Sequence, residues 1–427
     1  MNDVKYGMEG YSVTLLQYAL DRAGLDAGNT DGIFGRRTGK ALLQFQREQG
    51  LAADGIAGKL TWAALYPYIA GYTLHRIGPG DTFFQLAKDQ GVGVSAIQTA
   101  NPSMDPTSLP IGETLIVPLA LPVVTAKIPC SSLLTGLMVK GLTMRYPFLT
   151  VREIGRSVMG RPIRALSMGS GAKQVGYNAA HHANEWITAL LLLRFLEDWA
   201  QAYAAQGAVD GVLAGTLYET TTLHMVPLVN PDGVDLVTDA LGPGDSFHAQ
   251  AMALASYYPH IPFPTGWKSN ISGVDLNLQY PVGWEAARRI KYGQGYTRPG
   301  PRDYVGTAPL ITPESRAMAK WTEEHDFSLT LSYHTQGRTI YWRYEDTDVP
   351  AAKAIGEAMS RKSGYTLATT PHEIAHAGYR DWFIQTWRRP GFTVEAGMGE
   401  NPLPLSRFEE IYRENLPILV QGIMLSP

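Results

Sequence analysis

The chain has 427 residues, too many for one ordinary hydrophobic core and a natural length for two or three domains. Charged residues make up 18% and the formal net charge is -3, so nothing in the composition indicates nucleic acid or an acidic membrane as a partner. Cys130 is the only cysteine, which excludes an intramolecular disulfide and a cysteine-ligated metal cluster.

An internal repeat occupies residues 6–67. DGIFG begins at Asp31 and DGIAG begins at Asp54, and each stands just before a helix-like stretch. Asp-Gly pairs supply turns because Gly adopts backbone angles that other residues resist. The pattern predicts a small helical bundle over residues 1–70. The string LQYAL…DGIFGRRTGKALLQFQREQGLAADGIAGKLTWAAL resembles the peptidoglycan-binding domain at the ends of many wall hydrolases, which implies a wall-binding role.

A different pattern covers residues 72–118. A strand-like YTLHRI leads through Gly80-Asp81-Thr82 to the short helix FFQLAKDQ, and a second helix, VSAIQTAN, precedes a final strand, ETLIVP. This strand–helix–helix–strand order resembles a LysM domain, which we expect over residues 71–119. The resemblance implies binding to polymers that contain N-acetylglucosamine.

The rest of the chain predicts a linker and an α/β domain. Residues 120–130 contain prolines and no helical period, as is typical of a linker. Strand-like and helix-like runs alternate over residues 131–427, which predicts a mixed central sheet flanked by helices. Functional residues in such sheets gather where the strands end. The strand candidates are VREIGRS, PIRALSMG, VGYNAAH, TLHMVPLV, FSLTLSYH and FTVEAG.

Three side chains at predicted strand ends form a candidate metal site. His182 and Glu185 are three residues apart at a strand-to-helix junction, so both can face one point, and His334 ends FSLTLSYH. Imidazole nitrogen and carboxylate oxygen are good zinc ligands, and three of them leave a fourth position for water. A histidine at a strand end is more often a hydrogen-bonded core residue. His181 is the competing ligand, but we expect its side chain on the other face of the strand.

These residues, with GRPIRALSMG before them and GFTVEAG after them, resemble the zinc carboxypeptidase family of carboxypeptidase A-like metallopeptidases. The resemblance implies one zinc ion per chain, bound by His182, Glu185 and His334. It matches Glu395 to the family's catalytic glutamate, which takes a proton from water and passes it to the leaving amine. A surface glutamate without a role is the alternative. Asp275 matches the aspartate that hydrogen-bonds a zinc-bound histidine.

The same resemblance assigns the substrate contacts. Asn277, in VDLNLQYP, matches an asparagine that helps to hold a substrate carboxylate. Lys268, in GWKSN, lies where the family places an arginine that stabilises the developing oxyanion, although an exposed lysine without a role is the alternative. Asn184 replaces the arginine between the first His and the Glu of the usual motif, and we expect it to contact substrate.

The chain also departs from the exopeptidase pattern. Leu278 stands where the exopeptidases have an arginine that clamps the C-terminal carboxylate of the substrate. No tyrosine has the expected spacing before the Asp-Trp pair that begins at residue 381. Tyr379 lies too close to that pair, whereas His372 and His376 lie nearer the expected place. These differences argue against strict C-terminal exopeptidase activity and leave the zinc-water chemistry intact.

Two wall-binding modules ahead of such a domain resemble the bacterial γ-D-glutamyl-L-diamino acid endopeptidases, which cleave the bond between γ-D-glutamate and meso-diaminopimelate in peptidoglycan peptides. We therefore expect a zinc-dependent peptidoglycan peptidase that binds glycan through its N-terminal modules and the stem peptide in its active site. Arg338 is our candidate for recognising the side-chain carboxylate of the diamino acid. A general metallocarboxypeptidase and a non-catalytic wall-binding protein are the alternatives.

The sequence gives little on location. MNDVKYGMEGYS lacks the basic stretch and apolar run of a secretory signal, and the apolar run ITALLLLRFL is short and broken by Arg194. We expect no membrane span and no nucleic-acid partner. A cytoplasmic or sporangial protein that acts on the wall, and a secreted protein whose leader is missing from this sequence, both stay open. The oligomeric state is also left open.

Overall fold

The computed structural model describes residues 2–371 and 375–427, so the candidate His372 lies outside the described residues. Two compact units make up the chain. The first comprises Met1–Ile128 and Leu133–Thr150, and the second comprises Pro129–Ser132 and Val151–Pro427.

The first unit combines short helices with two small antiparallel sheets, β1 with β2 and β3 with β4. Its elements are β1 (Val4–Lys5), α1 (Tyr11–Arg22), α2 (Arg36–Glu48), β2 (Ile56–Ala57), α3 (Lys59–Ala70), β3 (Tyr72–Arg76), α4 (Phe83–Gln90), α5 (Val94–Ala100), β4 (Thr114–Pro118) and α6 (Ser132–Arg145).

A buried glutamine organises each half of the sequence repeat. Nε2 of Gln17 donates to Oδ1 of Asp31 (2.9 Å), the carbonyl of Ile33 (3.1 Å) and Oγ1 of Thr38 (3.2 Å). Its Oε1 accepts from the backbone N–H of Gly32 at 3.0 Å. One side chain therefore fixes the Asp-Gly-Ile turn against the two helices on either side of it.

The second half of the repeat has the same network. Nε2 of Gln46 donates to Oδ1 of Asp54 (2.9 Å), the carbonyl of Ile56 (3.0 Å) and Oγ1 of Thr61 (3.2 Å). Its Oε1 accepts from the N–H of Gly55 at 3.0 Å. Both turn glycines have positive φ, 75° at Gly32 and 72° at Gly55, which explains why glycine recurs there.

The segment from β3 to β4 has the predicted strand–helix–helix–strand order. The two strands pair antiparallel along their whole length, from Tyr72 opposite Pro118 to Arg76 opposite Thr114. Asn101, which follows α5, donates to the carbonyls of Ile97 and Ile116 and accepts from the N–H of Ile116. Its amide therefore joins the helix end to the closing strand.

The second unit contains an eight-stranded mixed sheet between helices. Its elements are β5 (Thr150–Arg156), β6 (Pro162–Met168), β7 (Lys173–Ala179), α7 (Ile187–Ala204), β8 (Ala208–Val209), β9 (Val212–Leu213), α8 (Ala214–Thr220), β10 (Thr221–Val226), α9 (Pro231–Val237), α10 (Ser246–Ala255), α11 (Trp284–Gly293), α12 (Pro313–Glu323), β11 (Phe327–His334), β12 (Thr339–Tyr341), α13 (Ala352–Ser363), β13 (Thr366–Ala368), α14 (Tyr379–Trp387), β14 (Gly391–Glu395) and α15 (Phe408–Met424).

The strand order is β13-β12-β14-β11-β7-β10-β6-β5. The four central strands β14, β11, β7 and β10 are parallel, whereas β6 and β12 run antiparallel to their neighbours β10 and β14. Residues on β7 and β11 are buried on both faces, as expected for parallel strands covered by helices. The predicted mixed α/β fold is confirmed.

This topology brings chemically active residues to one edge of the sheet. Because β7, β11 and β14 are parallel and adjacent, their carboxyl ends meet at the same edge. His334 lies directly opposite Glu395, and Tyr333 lies opposite Ala179, three residues before His182. Among the described residues, no helix is long and apolar enough to cross a membrane.

Candidate active site

His182, Glu185 and His334 converge at that edge. One ligand atom from each of the three lies within 4.8 Å of the other two. Nδ1 of His182 is 3.0 Å from Oε1 of Glu185, and Nδ1 of His334 is 2.9 Å from Oε2 of the same carboxylate. A short 3₁₀ turn, Ala183–Glu185, separates β7 from α7 and places the first two side chains toward His334.

Asp275 fixes the orientation of the His182 ring. Its Oδ1 is 3.2 Å from Nε2 of His182, and the carboxylate also accepts from the backbone N–H groups of Asn277 (3.1 Å) and Asp303 (3.2 Å). Although burial opposes ionisation, His182 and Lys268 hold the pKa of Asp275 well below its ordinary value. An ionised Asp275 accepts from Nε2–H, so Nδ1 is the nitrogen of His182 that can bind a metal ion when the ion displaces its proton.

The chemistry of this cluster fits a zinc ion. The Nδ1 atoms of His182 and His334 face each other at 3.2 Å beside the Glu185 carboxylate, an arrangement of two nitrogens and one oxygen that suits zinc. Burial disfavours a charge on His182, but Glu185 and Asp275 outweigh it and raise the pKa of the ring to about 9. The site therefore favours positive charge at its centre.

Glu395 lies at the end of β14 beside the cluster and lines the same cavity. Its carboxylate makes no hydrogen bond or ion pair with any residue that the structure describes. Burial is the main cause that raises the pKa of this carboxyl, and the neighbouring Glu185 adds to it, while His334 and Lys268 oppose it. An unpaired carboxylate with a raised pKa is suited to exchanging protons.

A cavity of about 840 Å³ opens over the cluster, a volume in the range of small-molecule and peptide sites. Lys268 lines it and places Nζ 2.8 Å from Oε1 of Glu185. Asn184 lines it as well, with Nδ2 donating to the carbonyl of Thr265 at 3.2 Å. Asn277 is also part of the wall, and its Oδ1 accepts from the N–H of Tyr379 at 3.1 Å.

Comparison with known proteins shows which protein family the second unit resembles. The zinc carboxypeptidase family model matches residues 137–418, about two thirds of the chain. The chain is 45% identical over 287 residues to gamma-D-glutamyl-L-diamino acid endopeptidase 1 of Lysinibacillus sphaericus, covering 67% of this chain and 70% of that protein. It is 39% identical over 280 residues to the uncharacterized protein YqgT of Bacillus subtilis (strain 168), covering 65% and 73%.

The chain belongs to the zinc carboxypeptidase family. Among solved structures, thrombin activatable fibrinolysis inhibitor matches with a TM-score of 0.54 at 19% identity, covering 69% of this chain and 74% of that chain. Carboxypeptidase A of Helicoverpa armigera matches with a TM-score of 0.52 at 19% identity, covering 70% and 74%. At these identities the two structures establish the fold alone.

The N-terminal segments match two further models, a peptidoglycan binding domain over residues 9–65 and a LysM domain over residues 75–118. As a member of the zinc carboxypeptidase family, the chain is a zinc metallopeptidase, and its cluster of His182, Glu185 and His334 is able to bind the metal ion. The predicted family, both N-terminal modules and the metal are thereby confirmed.

Of the remaining candidates, one lines the cavity and three do not. His181 is buried, and its Nε2 is 2.9 Å from the hydroxyl of Tyr280, so it faces away from the centre of the cluster. Arg338 does not line the cavity; its Nη2 is 2.5 Å from Oε1 of Glu414 on α15. Tyr379 is buried against Thr322, whereas His376 lines the cavity, with Nδ1 3.0 Å from the hydroxyl of Tyr344.

The cavity wall also contains charged residues to which the sequence pattern assigns no role. Arg380 and Asp381, in the first turn of α14, are both buried in the cavity wall. On another part of the wall, Asp303 pairs with Lys291 at 2.6 Å and with Arg302 at 2.5 Å. The string YRDW contained the first pair, but nothing in its spacing distinguishes a cavity wall from an ordinary helix start.

Proposed function

We propose that the chain hydrolyses the bond between γ-D-glutamate and a diamino acid, meso-diaminopimelate, in peptidoglycan peptides. One observation carries this proposal: the cavity that contains the zinc-binding cluster has Leu278 in its wall. An arginine at that position would bind the carboxylate of a free C-terminus, and leucine cannot. The identity of 45% to a protein named for this activity supports it, as do the two N-terminal modules.

The centre supplies each role that peptide hydrolysis needs. His182, Glu185 and His334 would hold one zinc ion, which contributes Lewis-acid polarisation and lowers the pKa of water. Glu395 takes a proton from the attacking water and returns it to the leaving amine of the diamino acid. Lys268 carries the positive charge that stabilises the oxyanion as it forms at the glutamyl carbonyl.

The remaining candidates position the reactants. Asp275 fixes the His182 ring through its hydrogen bond to Nε2. Asn277 and Asn184 present amide groups to the cavity, where they contact the polar groups of the substrate backbone. This proposal gives Arg338 no substrate contact, since its guanidinium pairs with Glu414 and the residue does not line the cavity.

The N-terminal modules direct this chemistry to the wall. We propose that a peptidoglycan-binding domain over residues 1–70 and a LysM domain over residues 71–119 bind glycan, and that a linker over 120–130 precedes a peptidase domain over 131–427. Residues 133–150 of that last segment belong to the first compact unit. The family matches at 9–65, 75–118 and 137–418 support these assignments. Two modules on one polymer gain avidity that neither has alone.

A matched pair of peptides tests the bond. L-Ala-γ-D-Glu-meso-diaminopimelate, with and without a C-terminal D-Ala, is incubated with the zinc-loaded protein, and the products are identified by mass spectrometry. We expect cleavage after γ-D-Glu in both, with release of diaminopimelyl-D-Ala from the longer peptide. His334→Ala, which removes one zinc ligand, should lose zinc and both activities together. Cleavage of the shorter peptide alone would make the protein a carboxypeptidase.

A further inference from the structure

Arg380 and Asp381 form an ion pair within the wall of the catalytic cavity. Both side chains are about 5% exposed, yet both residues line the cavity. Oδ1 of Asp381 accepts from Nε of Arg380 at 3.0 Å and also from Nη2. A buried guanidinium and a buried carboxylate therefore stand side by side at one point of the substrate site.

The pair keeps hydrogen-bonding capacity on both partners. Oδ1 of Asp381 receives both contacts from Arg380, and Oδ2 accepts no hydrogen bond from any residue that the structure describes. Likewise, Nη1 of Arg380 donates to none of the described residues. An ion pair with an unused acceptor on one partner and an unused donor on the other can bind a ligand that carries both charges.

Neighbouring contacts place the pair near Asn277 and near strand β12, which pairs with β14, the strand that ends at Glu395. A Cβ built on Gly378 would lie 3.0 Å from Oδ2 of Asp381 and 3.5 Å from Oδ1 of Asn277, so these two oxygens flank the same glycine. The guanidinium carbon of Arg380 lies 5.9 Å from the centre of the Tyr341 ring. Tyr341 lies opposite Thr393, two residues before Glu395 on β14.

We propose that Arg380 and Asp381 bind the zwitterionic end of the diamino acid side chain, with the guanidinium on its carboxylate and the Asp381 carboxylate on its ammonium. This inference rests on the proposed function and names the group that selects the substrate. Meso-diaminopimelate ends in an ammonium and a carboxylate on one carbon, and a fixed pair of opposite charges matches both. Two opposite charges also bind such an end without leaving net charge buried.

A purely structural role would explain the position of Asp381 but not the other features of the pair. Asp381 lies in the first turn of α14, where the helix dipole favours a carboxylate. That effect does not require an arginine next to it, nor burial of both groups in a substrate cavity. The test must therefore respond to the charges on the substrate and not to stability alone.

Three substrates separate the two charges. They share L-Ala-γ-D-Glu and differ in the last residue: meso-diaminopimelate carries both end groups, L-lysine lacks the end carboxylate, and L-2-aminopimelate lacks the end ammonium. We expect the wild-type protein to prefer meso-diaminopimelate in kcat/KM over each of the others by at least about tenfold, as one charge-assisted hydrogen bond allows.

The variants should lose these preferences in a crossed pattern. Arg380→Gln should remove the preference over L-lysine, and Asp381→Asn should remove the preference over L-2-aminopimelate, both mainly through KM. The double variant leaves no unpaired buried charge, so it guards against misfolding of either single variant, and it should treat the three substrates alike. Arg343→Gln breaks an exposed pair with Asp346 and serves as the matched control.

The outcomes separate this inference from the proposed function. If the wild-type protein cleaves none of the three peptides, the proposed function is wrong. Cleavage of all three with equal kcat/KM, or an equal loss on all three in each variant, would overturn the role of the pair while the proposed function stands. Zinc content and thermal unfolding are measured for each variant, so that loss of metal or fold is recognised.

Discussion

At the scale of single residues, the chemistry depends on where charges are left unpaired. Glu185 and Asp275 are tied into hydrogen bonds on both carboxylate oxygens, whereas Glu395 at the end of β14 has no partner among the described residues. Strand β14 holds Glu395 directly opposite His334, so this free carboxylate stands beside the metal-binding cluster. It is the group that the site leaves able to accept and release a proton.

Replacing Glu395 by glutamine should separate chemistry from metal binding. Glutamine keeps the size of the side chain and removes the base, so zinc should stay bound while kcat falls by about a hundred- to ten-thousandfold. Steady-state kinetics on the tripeptide and zinc analysis of the purified variant measure the two effects. Glu323→Gln, an exposed change on α12, is the control and should leave both unchanged. Near-normal kcat in Glu395→Gln would assign the base to another group.

The sequence locates those site residues that stand at the end of a strand. His182, His334 and Glu395 each stand at or just past the carboxyl end of a parallel strand, and strand ends can be located from apolar runs. Arg338 is near His334 along the chain, but that nearness does not bring its side chain to the cavity. Arg338 follows Gly337 and itself has a φ of 48°. The chain reverses at this point into β12, which runs antiparallel to β14.

At the scale of elements, long strands were predictable and short ones were not. The six strand candidates correspond to the strands β5, β6, β7, β10, β11 and β14, each with at least five residues. The edge strands β12 and β13 have three residues each, too few to establish an alternating pattern. Their place in the sheet depends on pairing with β14, a long-range contact that no local pattern contains.

The two halves of the N-terminal repeat should contribute equally to the stability of their unit. Gln17→Ala and Gln46→Ala each remove three donated hydrogen bonds and one accepted bond from a buried position. We expect each to lower the free energy of unfolding by about 2–4 kcal/mol, since buried polar groups are left unpaired. Urea unfolding of the isolated N-terminal unit measures both.

An exposed glutamine provides the control for this pair. Gln44 lies on the same helix α2 as Gln46 and bonds only the side chain of Glu48, at 2.9 Å. Gln44→Ala should change the free energy of unfolding by less than about 0.5 kcal/mol. A large loss for one repeat glutamine and none for the other would contradict the equivalence of the two networks.

At the scale of the whole molecule, the first unit extends beyond the segment that its sequence motifs occupy. It includes residues 133–150, most of helix α6 among them. A Cβ on Gly141 would lie 2.1 Å from the carbonyl oxygen of Ala70, and Nη1 of Arg145 donates to the carbonyl of Leu121 at 2.6 Å. The close backbone approach at Gly141 explains the glycine inside this helix. Helix α6 therefore completes the core of the unit.

This organisation predicts how the protein can be divided. A fragment of residues 1–150 should fold alone and sediment with insoluble peptidoglycan, because it keeps both N-terminal modules and α6. A fragment of residues 1–130 has the same modules but exposes the surface that α6 buries, so it should unfold at a lower urea concentration. Binding is measured by co-sedimentation, with cellulose as the control polymer, and folding by circular dichroism.

If the longer fragment is folded yet stays in the supernatant, the N-terminal unit does not anchor the enzyme to the wall. Equal stability of the two fragments would instead show that α6 adds nothing to that unit.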